Sequence, residues 1–489
     1  MLASIPFALR THGLRRIQRV AQEQIRALQQ ERWQHLLQLA MERSPFYRQR
    51  LRGIDPHRCR PADIPPLTKA EMMSNFDALV TDPRIRREEV ERFIADPANL
   101  GKFFLGRYAV CHTSGSQGQP ALVLRHRRHA LLAFEIQVAR ASKLPGSLKA
   151  FVSRMIWPGR VATVTQKPGF YPSGSTFAYV AAARLRLVNL LRLSVFDPID
   201  QLVGRLNDFQ PQYLSGYTGA LESLAREELA GRLRLRGRLQ LITSHAEPLP
   251  ESSRDFITRA FGVHVADSYS MAECEALASG CLHFRGSHLN ADLALFEVVD
   301  EHYRPVPDGR PGAKVLVTNL YNLVQPMIRY EIDDTVTMSP TPCPCGSPLP
   351  LIQSIDGRTK ERFWIAVNGS YRELQYYLFL AALHNYLDMA EHQVLQTGTN
   401  RFVVRAAPLP GKVLSAERIA QLVRSSVCAE GLEDVVKVDI EVVDAIPRDP
   451  QTGKIHRARN LVGPPPAGPL PEVVKSTDRR DQMAAVPGV

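Results

Sequence analysis

The chain has 489 residues, 44% of them hydrophobic and 22% charged, enough for two to four domains with buried cores and too little apolar continuity for a membrane span. Its net charge is +12. The arginines that dominate residues 10–60 are interleaved with acids and glutamines at helical spacing, which argues against a nucleic-acid surface and for a solvated face that favours anionic small substrates. Met1–Arg10 lacks the basic region and cleavage site of a secretion signal. Seven cysteines, an odd number, then suggest a reducing cytoplasm.

In chain order, residues 12–52 read as helical through Ile17, Val20, Ile25, Leu28, Trp33, Leu36, Leu37 and Met41, and Ser44-Pro45-Phe46-Tyr47 closes the run. Thr68 is placed to cap a helix with Glu71 three residues on. Arg107–Cys111 and Ala121–Leu124 read as strands around His112–Pro120, His-Thr-Ser-Gly-Ser-Gln-Gly-Gln-Pro. Small hydroxyl residues and glycines there can turn backbone N–H groups toward an anion, and the loop lacks the Lys-Ser/Thr ending of a Walker loop. Residues 129–142 read as a helix. From 150 to 300 strands (Ala162–Thr165, Tyr213-Leu214, Leu239–Thr243, Val263–Ala266) alternate with helices (Gly219–Ala230, Pro250–Phe261), an α/β pattern with a largely parallel sheet. From 289 to 336 the texture turns to β, with strands expected at Ala294–Val299, Ala313–Thr318 and Met327–Tyr330.

A charged joint at 354–362 precedes about 100 residues of small α+β module. There a helix is expected at Tyr371–Tyr386, strands at Gln393–Thr397 and Arg401–Ala406, a helix at Ser415–Cys428 and a strand at Val435–Val443. Beyond Asn460 the chain is Pro-rich and polar, the composition of a disordered tail.

Several stretches carry polar residues that packing does not need. Ser244–Leu249, with Glu247, and Tyr269–Glu273 each follow a strand, where ligands of open α/β sheets bind. Glu273 there suits a magnesium ion bridging phosphates. Asp333-Asp334 after Arg329-Tyr330 offers a carboxylate for a ribose, Arg358 a cation for a phosphate or hydroxyl, and Lys454 a lysine on a tight turn. Cys281, His288, Cys343 and Cys345 form a donor set suited to a closed, structural zinc, with His283 as a competing ligand. Cys111 and Cys274 read as packing residues.

The order Thr-Ser-Gly-Ser-x-Gly-x-Pro, Tyr-x-x-x-Glu, Arg-Tyr…Asp, Asp-Gly-Arg and Gly-Lys resembles the adenylate-forming superfamily over about residues 44–460. Ser44-Pro45-Phe46-Tyr47, Pro66-Leu67-Thr68-Lys69, Ala246-Glu247-Pro248 and the Cys-x-Cys-Gly at 343–346 resemble its phenylacetate–CoA ligase branch and that branch's capsule-cluster relatives. The resemblance implies a large adenylation domain with mixed sheets (1–357, opening with a helical segment), a small mobile C-terminal domain (358–460) and a tail (461–489).

It also implies roles. Thr113, Ser114, Gly115, Ser116 and Gly118 match the ATP phosphate loop, Glu247 and Tyr269 the base pocket, and Glu273 the magnesium ligand. Asp334 matches the ribose aspartate, Arg358 the arginine after it, Lys360 the hinge and Lys454 the adenylation lysine. The implied cofactors are ATP and Mg²⁺, with coenzyme A as co-substrate and a structural Zn²⁺ of the kind some members carry. The implied activity is an AMP-forming acid–thiol ligase acting on an aryl or related carboxylic acid. Its alternative passes the acyl group to an amine, a sugar or a carrier protein in a biosynthetic or polysaccharide pathway. A third reading is a non-enzymatic nucleotide-binding protein on a decayed scaffold, against which the retention of Glu273, Asp334, Arg358 and Lys454 argues.

Three positions depart from the pattern. Asp333 replaces the usual Gly, Thr359-Lys360-Glu361 replaces the usual acidic pair, and Trp364–Tyr371 lacks the Arg-Gly start that serves the second half-reaction. The sequence leaves the acid and the oligomeric state open, a homodimer being one arrangement.

Overall fold

The basic opening stretch forms two helices, α1 (Ser4–Arg16) and α2 (Gln22–Arg43), because the backbone is extended at Val20 and Ala21. α2 buries Ile25, Trp33, Leu36, Leu37 and Ala40 along one stripe. Ser44 then accepts from the Tyr47 amide at 3.3 Å and starts α3 (Pro45–Arg50), with proline in the first turn. Thr68 caps α4 (Lys69–Ser74) in the same way, but Glu71 pairs with Arg50 instead of closing a capping box. α5 (Phe76–Leu79) and α6 (Arg87–Ala95) follow. Strands β1 (Tyr108–His112) and β2 (Leu122–His126) form an antiparallel hairpin in the same apolar core as Trp33, Tyr47, Phe76 and Met327. α7 (Leu132–Arg140) comes next, and Arg15 of α1 donates to its last carbonyls, Ala139 and Val138, both at 3.0 Å.

The computed structural model describes residues 4–113, 120–140, 159–165, 169–183, 188–358, 363–374, 378–379, 383, 386, 388–448 and 455–463. The chain divides into two compact units, Met1–Thr359 with Pro447–Ile455, and Lys360–Ile446 with His456–Val489.

In the first unit, strands and helices alternate: β3 (Gly159–Thr165), α8 (Pro172–Ala182), β4 (Val188–Ser194), α9 (Ile199–Phe209), β5 (Tyr213–Gly216), α10 (Thr218–Leu229), β6 (Leu241–His245), α11 (Glu251–Phe261) and β7 (Val265–Met271). The five strands pair in parallel in the order β4-β3-β5-β6-β7. Ala162, Val164, Leu214 and Ile242 pack against Leu221, Leu224, Ile257 and Phe261 of the helices, the two-sided burial that parallel strands need.

The parallel character ends at β7. A two-residue turn, Ala272-Glu273, sends β8 (Cys274–Gly280) back antiparallel. After it come β9 (Ser287–Leu289), β10 (Ala294–Val299), β11 (Lys314–Asn319), β12 (Tyr330–Ile332), β13 (Asp334–Met338) and β14 (Leu351–Arg358). The nine-stranded sheet continues β7-β8-β9-β14-β13, while β10-β11-β12 form a separate antiparallel sheet. β12 begins at Tyr330, not at Met327 as the pattern suggested, because Arg329 has a left-handed backbone (φ 51°) that interrupts the extended run.

In the second unit, β15 (Phe363–Val367) and β16 (Ser370–Leu374) form a hairpin across Asn368-Gly369, both at positive φ. Tyr371–Leu374 is therefore strand, not the start of the helix expected at Tyr371–Tyr386. The Asn-Gly turn outweighs the apolar spacing beyond it. β17 (Met389–Gly398), β18 (Arg401–Pro408), α12 (Ala416–Ala429), β19 (Lys437–Val442) and β20 (Ala458–Asn460) complete the unit, with sheet order β19-β18-β17-β20. Its core holds Phe363, Phe379 and Phe402 within 5.2–6.1 Å of one another. Among the described residues no helix is long and apolar enough to cross a membrane.

Candidate active site at the strand ends

Because β5, β6 and β7 are parallel, Gly216, His245 and Met271 end on one edge of the sheet. The turns beyond β6 and β7 carry Glu247 and Glu273, while Tyr269, expected after the strand, lies within β7 because the extended run continues to Met271. Ala246 sits at φ 65°, a conformation that strains a residue with a side chain, and it turns the chain toward Glu247. Glu247 Oε2 accepts from the Gly219 amide at 2.9 Å, at the positive end of α10. Thr218 Oγ1 lies 2.8 Å from Ser244 Oγ and donates to the Pro248 carbonyl at 2.9 Å. Glu247 thus braces two strand-end loops against each other.

The Tyr269 hydroxyl donates to Asp334 Oδ2 at 2.6 Å. In sheet order β7 and β13 are four strands apart, about 19 Å in a flat sheet. The antiparallel half therefore curls until the first residue of β13 faces the end of β7. Of the adjacent carboxylates, Asp334 is the one Tyr269 engages, and Arg358, the last residue of β14, pairs with Asp334 in the strand register.

Glu273 occupies the β7–β8 turn, only 7% exposed, and its carbonyl accepts from Asn319 Nδ2 at 2.8 Å. Burial, the Glu273 charge and a hydrogen bond to Glu273 hold the Tyr330 hydroxyl well above the usual phenol range. Arg329, just before it, is held by Glu297 through two 3.0 Å bonds.

The two feet of the glycine loop are tied together. The Thr113 amide donates to the Ala121 carbonyl at 2.9 Å, and Thr113 Oγ1 accepts from the Ala121 amide at 2.8 Å. Ser114, Gly115, Ser116, Gly118, Lys360 and Lys454 lie outside the described residues, as does the chain from 464 onward.

One polar cluster carried no motif in the sequence. Arg125 of β2 and Glu275 of β8 form a buried ion pair at 2.6 Å, with Thr176 of α8 bonded to both. The only local signal is a charged residue at an inward-facing position of an otherwise apolar strand.

A second cluster lies at the far end of β8. Cys281, His288, Cys343 and Cys345 bring their ligand atoms within 4.8 Å of one another, and His283 is not in the group. Cys281 Sγ and Cys343 Sγ are 3.8 Å apart, and Cys345 Sγ is 3.2 Å from His288 Nε2. Sulfurs at 3.8 Å are too distant for a disulfide, but tetrahedral zinc with 2.3 Å bonds places them about 3.8 Å apart. Burial pushes the Cys343 thiol up to about 12, with Cys345 and Cys281 beside it. Burial also opposes ionisation of Cys281, yet His288 and the amides of His283 and Phe284 hold that thiol below its ordinary value. The donor set fits a closed structural zinc, remote along β8 from Glu273.

No protein-family model matches the chain. It is 28% identical over 366 residues to the phenylacetate-coenzyme A ligase of Thermus thermophilus, covering 71% of this chain and 73% of that protein. It is 27% identical over 156 residues to protein CapK of Staphylococcus aureus, covering 31% of this chain and 33% of that protein. Among solved structures, 2-hydroxyisobutyryl-CoA ligase in the postadenylation state with 2-HIB-AMP superposes with a TM-score of 0.65 at 21% identity, covering 90% of each chain. The same enzyme with 2-HIB-AMP and CoA in the thioesterification state gives 0.54 at 21% identity, covering 91% of each. In sequence this chain is thus similar to a phenylacetate-coenzyme A ligase, and its fold is that of a ligase solved with an acyl-adenylate bound.

Proposed function

We propose that the chain is an ATP-dependent carboxylate ligase that activates an aryl or related acid as its acyl-adenylate and then forms the CoA thioester. The observation that carries this reading is the Tyr269–Asp334 hydrogen bond beside the Glu273 turn, at the ends of the parallel strands. A carboxylate oxygen of the acid attacks the α-phosphorus of ATP, the bond to the β-phosphate oxygen breaks, and pyrophosphate leaves. Charge builds on the phosphoryl oxygens, so the chain's task is positioning and electrostatic stabilisation. Thr113, Ser114, Gly115, Ser116 and Gly118 grip the leaving pyrophosphate. Asp334 accepts from the ribose hydroxyls, Tyr269 orients Asp334, Glu247 shapes the base side, and Arg358 adds a cation near the ribose. Lys454 brings a point charge to the carboxylate and α-phosphate.

Glu273 would hold Mg²⁺, since a buried carboxylate beside a phenol oxygen offers the hard donors that ion takes. When bound, the ion neutralises polyphosphate charge. Cys281, His288, Cys343 and Cys345 would hold a structural zinc that ties the loop after β8 to the segment before β14. An odd number of cysteines, seven, suits a cytoplasmic enzyme.

The test is ATP–pyrophosphate exchange across a panel of aryl and aliphatic acids, with Lys454→Ala as control. Exchange with at least one acid, lost in the control, supports the reading. ATP binding without exchange for any acid overturns it. A second reading, transfer to an amine, sugar or carrier protein, is favoured by the absence of an Arg-Gly start in the β15–β16 hairpin. Comparing CoA with amine acceptors in the same assay separates the two. Metal analysis of the purified chain is expected to find about one zinc per chain. A folded, zinc-free protein would rule that site out.

A further inference from the structure

Beneath the strand-end site lies the ion pair that the reaction above does not use. The side chains of Arg125 and Glu275 are 4% and 7% exposed and meet at 2.6 Å. The second oxygen of Glu275 accepts from Thr176 Oγ1 at 3.0 Å, and Arg125 Nη2 lies 3.3 Å from the same hydroxyl. Cys111 Sγ is 3.6 Å from Arg125 Nη1 and 3.8 Å from Glu275 Oε1. Four elements therefore converge on one charge pair: β1, β2, α8 and β8.

Three of these residues lie near the proposed ATP contacts along the chain. Cys111 is two residues before Thr113, Arg125 lies on the strand that leaves the glycine loop, and Glu275 is two residues after Glu273. α8 grips the same hairpin, because Ser175 Oγ donates to the Val110 carbonyl at 2.9 Å and Tyr179 Oη accepts from the Val110 amide at 3.3 Å. Burial pushes the Cys111 thiol up to about 12; Arg125 draws it down, while Glu275 and Glu273 push it up. Both carboxylates are thus within electrostatic reach of β1.

Stability alone does not account for the pair. A buried ion pair is on average no better for stability than well-packed apolar side chains, and among the described residues Arg125 Nε has no hydrogen-bond partner, which adds cost. A charge pair gives what apolar contacts lack, a fixed direction and spacing between two strands. We propose that the Arg125–Glu275 pair is a positioning device that sets the β1–β2 hairpin against the Glu273 turn, so that loop and carboxylate address the same polyphosphate. Arg125 and Glu275 are positioning residues, not catalytic ones, and the inference rests on the ATP-binding reading above.

The test uses the full chain and two variants, Arg125→Met/Glu275→Leu and Glu275→Gln. The double variant replaces the pair with apolar side chains of similar size, so it is expected to melt within about 5 °C of wild type. Its binding of ATP, followed by calorimetry across a magnesium titration, is expected to need about tenfold more magnesium, as changes to groups supporting a metal ligand do. Its KM for the acid in pyrophosphate exchange stays unchanged. Glu275→Gln keeps the contact shape and loses the charge; it shows a smaller shift in the same direction, and decides the question if the double variant fails to fold. A folded variant with wild-type magnesium dependence overturns the inference and leaves the function standing. Wild type that binds ATP with magnesium but exchanges no pyrophosphate overturns the carboxylate-ligase reading and leaves the positioning test intact. Wild type that binds no ATP overturns both.

Discussion

The two halves of the nine-stranded sheet are built by different rules. In the parallel half, β4-β3-β5-β6-β7, the strands β4, β5 and β6 are each followed by a helix whose apolar side chains pack in one core with the sheet. In the antiparallel half, β8-β9-β14-β13, polar side chains meet across long stretches of sequence. Tyr269 and Asp334 are 65 residues apart, Cys281 and Cys343 are 62 apart, and Cys111 and Glu275 are 164 apart. The parallel half supplies a frame whose strand ends would place the proposed nucleotide. The antiparallel half supplies Asp334 and Arg358 of the proposed site.

The largest effect is expected from Glu273→Gln. The variant keeps the turn and its size and removes the carboxylate. Acid-dependent pyrophosphate exchange should fall by about 10²–10³-fold, with the melting temperature nearly unmoved. Ile257→Ala makes the opposite kind of change, since Ile257 is fully buried in the parallel half. Urea unfolding should show a loss of about 2–5 kcal/mol, while the KM for ATP in the folded protein stays at its wild-type value. If Ile257→Ala instead raised the KM for ATP at intact stability, the division into frame and site would fail.

The frame was legible in the sequence because its rules are local. Apolar spacing located β3, β5, β6, α10 and α11 to within a few residues, and Thr68 announced its helix through capping chemistry, whereas Ser44, read as part of the close of a helical run, starts the next helix. Where local signals competed, the reading slipped. Asn368-Gly369 turned the first four residues of an expected helix into a strand, and the left-handed Arg329 delayed β12. Glu273, Asp334 and the cluster of Cys281, His288, Cys343 and Cys345 stood out only by motif order and donor type. That Tyr269 would reach Asp334 depends on how far the sheet curls, and no short stretch encodes curl. Arg125 and Glu275 were silent for a related reason, because a buried ion pair looks like two unrelated charges until the strands that carry them are in place.

β7 belongs to both halves, and two of its residues sharpen the comparison. Burial pushes the Asp267 carboxyl up to about 6, although Arg254 of α11 draws it down. A carboxyl raised in the folded state binds more protons there than in the unfolded chain. Its contribution therefore weakens as pH rises from about 4 to about 6 and is constant above that. Asparagine cannot ionise. Asp267→Asn should gain on wild type across that window, by up to about 3 kcal/mol, in urea unfolding measured from pH 4 to pH 8. A difference between the two proteins that is flat with pH would show that Asp267 does not bear this cost.

Tyr269→Phe is expected to have the smallest effect and to discriminate best. The ring stays packed edge-on to Phe296 at 6.4 Å, so the apolar contact survives. Only the hydroxyl that donates to Asp334 is lost. A hydrogen bond to a charged acceptor is worth about 1.5–3 kcal/mol when its partner stays desolvated, and less where water can replace it. Asp334 is partly exposed, so stability should hardly change. Its carboxylate, without the Tyr269 bond, should meet the ribose in a less defined orientation, and the KM for ATP should rise about tenfold with the KM for the acid unchanged. If stability fell as far as in Ile257→Ala and the KM for ATP stayed put, Tyr269 would belong to the frame, and the curl of the antiparallel half would serve folding before it served the nucleotide.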